Sequence, residues 1–86
     1  SGPTIENLEI YDVGQLKLVG VLWGVTDPKA MIRAPSGKVF MVKKNSKIGR
    51  NKGFVAMVRE GEIVVFELSQ DGRTPSTQVI FFLSIA

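Results

Sequence analysis

The sequence predicts an all-β domain of six to seven short strands, arranged as a small sandwich or a partly open barrel. Three observations predict it. Apolar or alternating runs of six to nine residues recur along the chain, separated by Gly, Pro, Asn and Asp. No stretch of eleven or more residues carries the 3.6-residue apolar period of an amphipathic helix. Finally, 86 residues with 44% apolar and 22% charged side chains can build one modest core but not two. The longest apolar run, near Val79–Leu83, is far short of the roughly 20 residues that a membrane-crossing helix needs.

Residues 1–14 read as an irregular segment and 15–86 as one domain. Ser1-Gly2 has the look of a cleavage scar, and no signal peptide precedes Pro3. Leu8, Ile10 and Tyr11 are expected to anchor the segment to the core, with Asp12 capping a brief turn to Gln15. Leu16–Trp23 is the clearest strand of the first half, with Leu16, Leu18 and Leu22 on one face and Lys17, Val19, Val21 and Trp23 on the other. Gly20 inside it marks a bulge or a close backbone approach that would let the strand bend between sheets.

Gly24–Pro28 is turn chemistry. Lys29–Ala34 alternates like a half-exposed strand and leads through Pro35-Ser36-Gly37 into Lys38–Lys44, so the two runs form an antiparallel hairpin. Lys38–Lys44 is apolar on both faces, which suits a strand covered on both sides. Phe54–Arg59 and Glu62–Leu68 make a second hairpin across Glu60-Gly61. After the polar loop Gln70–Ser76, Thr77–Ile85 is the last strand, and its apolar run suits a central or covered position.

There are no cysteines and no histidines, so disulfides, thiolate chemistry and imidazole-based nucleophile activation are all excluded. Gly49-Arg50-Asn51-Lys52-Gly53 has glycines spaced like a phosphate cradle, but neither the Lys-Ser/Thr pair nor the following helix is there. Glu60 and Glu62 flank a hairpin tip, where both carboxylates are solvated and neither is poised for acid–base work. No enzyme, cofactor or metal site is expected.

Charge is uneven. Pro28 to Arg59 holds nine basic residues and no acid, while the remainder holds two basic residues against eight acids, giving +3 in all. Such a middle is either a binding surface or a region neutralised by the acidic flanks. Trp23, the single tryptophan, serves either in packing or on a partner surface. The Lys43–Lys52 segment would suit nucleic acid as an alternative function, yet it holds no aromatic platform for stacking bases.

The residues Gln15–Trp23, Ala30–Arg33, Pro35-Ser36-Gly37-Lys38, Val42-Lys43, Ile48-Gly49, Gly53, the Val55 strand and Glu62–Val65 occur in an order that resembles the C-terminal domain of the PilP family of type IV pilus assembly proteins. Two features depart from that family: Asn45 stands where a glycine is usual, and Val79–Ile85 is more apolar. The resemblance implies a small periplasmic β-sandwich of two antiparallel sheets, similar to the homology region of the secretion protein GspC. It also implies a non-enzymatic adaptor that docks onto the N-terminal periplasmic domain of the secretin PilQ. Full-length members would be inner-membrane lipoproteins whose N-terminal region carries the lipid and binds PilN and PilO; these 86 residues contain no cysteine to lipidate. The expected partner surface is Lys17, Val19, Val21, Trp23 and Arg33, with Lys43, Lys44, Lys47, Arg50 and Lys52 from the basic loop. The isolated domain is expected to be monomeric and to bind no nucleic acid.

Overall fold

A computed structural model describes residues 6–69, 71 and 73–84. It contains two three-stranded antiparallel sheets. The first has the order β1 (Lys17–Leu22), β2 (Lys29–Arg33), β3 (Val39–Lys43). The second has the order β4 (Phe54–Arg59), β5 (Glu62–Leu68), β6 (Pro75–Phe82). Each sheet is a meander of consecutive strands, the cheapest way to pair β-branched and aromatic runs joined by short turns.

The turns match their chemistry. Gly37 and Gly61 close the β2–β3 and β4–β5 hairpins with φ of 91° and 71°. Asn45, at φ 76°, takes the left-handed backbone, as its place in the turn after β3 requires. Its side chain is one of the few that tolerate that region.

The sheets face each other across one core. Leu18, Ala30, Ile32 and Val42 point inward from the first sheet, and Val55, Ile63, Val65 and Phe81 from the second. Ile48, in the connection between the sheets, is 0% exposed and fills the same core. That connection is built tightly: Ser46 closes a turn on Lys43, and Ile48 N–H donates to Gly53 C=O at 3.0 Å. Gly49 and Arg50 amides then hold the N-terminal segment through Leu8 and Tyr11 carbonyls at 3.0 and 2.9 Å. Leu8 is buried there and Tyr11 packs on the core, but Ile10 turns to solvent. The predicted turn at Asp12 is present, with Asp12 N–H donating to Gln15 Oε1 at 3.1 Å.

Three expectations need correction. β3 is an edge strand, and Val39 and Met41 on its outer face are exposed, because apolar side chains on a strand do not by themselves supply a layer to cover them. β6 is likewise an edge strand rather than a covered one, with Phe82 70% exposed. It spans Pro75–Phe82, so it starts two residues before the predicted Thr77 and stops before Leu83 and Ser84; Ile85 lies outside the described residues. And β1 does not cross between sheets. It absorbs the irregularity as a bulge at Val19, between the pairs Leu18–Ile32 and Gly20–Met31.

Candidate docking surface

The bulge decides which residues of β1 share a face. Beyond Val19 the alternation is reset, so Lys17 is followed outward by Gly20 and Leu22, opposite Arg33, Met31 and Lys29 of β2. Val21 therefore leaves the face expected for it and packs against the core. Val19 is the half-buried bulge residue, and Trp23 is exposed just past the strand's end. A one-residue insertion is invisible to a period-2 reading, which is why the sequence grouped Lys17 with Val19, Val21 and Trp23.

The outer face of the first sheet has a definite chemistry. Leu22, Met31, Val39 and Met41 form an exposed apolar strip across three strands. Met31 lies over Gly20, where an added Cβ would come within 2.2 Å of the methionine Cε. Leu22, Met31, Met41, Lys29 and the border of Val21 enclose a shallow hollow of about 270 Å³. Lys17, Arg33, Lys29 and Lys43 rim the strip, with no acidic residue on the strand face itself. Leu22, Lys29, Met31, Met41 and Val39 escaped the sequence reading. For the four in β2 and β3, the signal was the outward member of each alternating pair; Leu22 was hidden by the bulge in β1.

Like charges stand directly opposite one another at Lys17–Arg33 and Lys29–Lys43. Such pairs cost stability rather than supply it. Lys29 is partly relieved by Asp27 at 3.7 Å, an exposed and weak pair.

The basic loop is not one uniform cationic surface. Arg50 forks onto Asp12, Nε to Oδ1 at 2.8 Å and Nη2 to Oδ2 at 2.7 Å, so its charge is spent in holding the N-terminal segment. Lys44, Lys47 and Lys52 are exposed. Lys43 and Lys44 border a groove with Asp27, Ala56 and Met57, whereas Lys47 borders a different one beside Leu8 and Phe40. The loop's two glycine amides are no anion cradle. Gly49 N–H is taken by Leu8, and Gly53 is packed so closely that an added Cβ would meet Ile48 O at 2.3 Å. The nearby rings are engaged elsewhere: Phe54 lies against Phe66 with centroids 6.1 Å apart, and Phe40 packs on the core beneath Lys38. Among the described residues, no group of three or more carboxylates is placed to hold a metal ion.

Fold and face together define a small β-sandwich domain presenting an apolar, cation-rimmed sheet to solvent. A family model described as pilus assembly protein PilP matches residues 3–77, and the chain belongs to the PilP family. Among solved structures it is similar to the solution structure of PilP from Pseudomonas aeruginosa, with 26% identity, a TM-score of 0.77, and coverage of 96% of this chain and 76% of that one. A domain of the type IV pilus biogenesis lipoprotein PilP from the same organism matches with 24% identity and a TM-score of 0.73, over 95% of this chain and all of that one. A domain of the Neisseria meningitidis PilP pilot protein matches with 22% identity and a TM-score of 0.70, over 100% of this chain and 77% of that one. The last two establish likeness of fold alone. No curated protein sequence matches the chain.

Proposed function

We propose that this domain is a non-enzymatic adaptor of type IV pilus assembly in the periplasm. It docks onto the N-terminal periplasmic domain of the secretin PilQ through the outer face of its first sheet. In the whole protein, an N-terminal lipid anchor and a region binding PilN and PilO would tie it to the inner membrane. The family membership and the name of a relative as a type IV pilus biogenesis lipoprotein support the setting. The observation that carries the docking face is the apolar strip Leu22–Met31–Met41 within a rim of four cations that repel one another in pairs. A partner with carboxylates around an apolar patch would cover the strip and offset that repulsion.

Stability and binding therefore move in opposite directions at this rim. Arg33→Glu replaces a like-charge pair with an opposite-charge pair across from Lys17, so the isolated domain gains about 0.2–1 kcal/mol. The same change weakens secretin binding and lowers its salt sensitivity. A heteronuclear NMR titration with the purified secretin domain, at two salt concentrations, checks it. Shifts at Met31, Met41 and Leu22 that shrink with salt support the face; no shifts at millimolar partner would remove it.

A further inference from the structure

Ladder parity identifies which backbone groups of β6 face outward. In an antiparallel ladder, alternate residues direct both N–H and C=O to opposite neighbours. Leu83 N–H donates to Gly61 C=O at 2.8 Å, so the register makes Ile63–Phe81 and Val65–Val79 bonded pairs. Gln78, Ile80 and Phe82 therefore direct their amide groups away from β5. Ser84, next in that series, obeys the same parity, for its N–H leaves the sheet and meets Leu18 C=O at 2.9 Å. Among the described residues, no backbone hydrogen bond reaches the outward groups of Gln78, Ile80 or Phe82.

The other edges are better guarded. Asn45 and Ser46 bond Val55 on the open side of β4, and Ser84 bonds Leu18 on β1. On β3, Lys43 is tied to Ser46, and lysines fringe the two residues left open. Thr77–Phe82, by contrast, carries no charge at all, and Ile80 and Phe82 are 42% and 70% exposed. An apolar edge without a charge or a bulge against its open side is a template for another strand.

We propose that β6 pairs antiparallel with β6 of a second copy of this chain, with the two-fold axis at Ile80. In that register Ile80 faces Ile80 of the second copy, and Gln78 faces the second copy's Phe82. All three open residues of each copy are then bonded. The pairing stops where Ser84 bonds Leu18 of β1, so it spans Gln78 to Phe82 of each copy. No charge meets a like charge across the seam, and the cationic strand face lies on the opposite sheet. An edge without charge can lie against its own copy with no like-charge repulsion, and this favours a second copy over a foreign strand. The pairing departs from the monomer expected from the sequence, which gave no indication of which edges the loops cover. The first sheet's outer face stays open, so the pairing and the docking reading stand or fall separately.

Sedimentation equilibrium from roughly 10 µM to 1 mM, the range in which weak contacts appear, tests it. The wild-type domain is expected to reach a dimer, with amide exchange at Gln78, Ile80 and Phe82 slowing about tenfold as dimer forms. Ile80→Lys and Ile80→Glu are each expected to be monomeric, because residue 80 meets its own copy. Mixed in equal amounts, they should restore the dimer, and circular dichroism of each variant checks its fold. A wild-type monomer at the highest concentration overturns the proposal. So does a wild-type dimer whose Gln78, Ile80 and Phe82 amides exchange as fast as in dilute solution. A mixture no more associated than its components, while the wild type dimerises, overturns the register.

Discussion

Gly53 has no room for a methyl group. The Ile48 carbonyl would sit 2.3 Å from an added Cβ, and Ile48 N–H is bonded to the Gly53 carbonyl, so the two backbones cannot separate without losing that bond. Gly53→Ala is expected to destabilise the domain by about 1–3 kcal/mol, read as a lower urea midpoint at unchanged m-value. Two carboxylates set the acid response. Glu6 accepts from Ser36 and Tyr11 hydroxyls, and its pKa falls below the ordinary 4.5, mainly through Ser36. Asp71 is lowered likewise, first by the Ser69 hydroxyl and then by the Arg73 amide at 2.8 Å. A depressed folded-state pKa contributes stability above the unfolded value and loses it as pH falls through the folded one. The melting temperature should therefore decline below the ordinary carboxylate range. Ser36→Ala and Ser69→Ala should each flatten that decline, and an unchanged slope in both would show these bonds do not persist in solution.

At the scale of elements, β4 and β5 have the very bounds that the sequence predicts, and β1 to β3 lie within a residue or so of theirs. Alternation and turn residues are local properties, so they were legible. What was not legible is whatever depends on distant chain. Arg50 reads as a free cation until Asp12, 38 residues away, is seen beneath it. β3 and β6 read as covered because sequence cannot say which neighbour an apolar face has. The bulge at Val19 was hinted at by Gly20, but its effect on the faces was not. That bulge carries an unusual expectation. β2 runs unbroken from Arg33 to Lys29 opposite it, so removing Val19 leaves Lys17, Leu18, Gly20, Val21 and Leu22 in regular alternation. Deletion of Val19 should preserve every side chain's face, whereas deletion of Leu18 should keep the alternation but put the smaller Val19 in the inward place opposite Ile32. Proton–nitrogen spectra should be native-like for both variants, with the lower urea midpoint in the Leu18 deletion; a collapsed spectrum for the Val19 deletion would overturn the register.

For the whole molecule, the connection between the sheets matters as much as either sheet. Ile48 supplies a fully buried side chain from outside any strand, and its loop also fastens the N-terminal segment. Ile48→Ala is expected to cost about 2–5 kcal/mol, a large share of the roughly 5–15 kcal/mol available to a domain of ordinary stability. Chemical denaturation would measure it. A loss below 1 kcal/mol would mean that the segment is peripheral to the fold. The proposed docking face and the open β6 edge belong to opposite sheets, so one molecule could offer both at once.

The consecutive order of strands within each sheet has a kinetic side. Both meanders close over short stretches of chain, and loops of that length cost little entropy. The slow event is then the meeting of two preformed hairpin sets, for which Ile48 is the hinge pin. Substitutions there should retard folding, whereas truncation of outward Met31 or Met57 should chiefly hasten unfolding. A chain built this way is expected to join its sheets last, and refolding rates of Ile48→Ala against Met57→Ala would measure it.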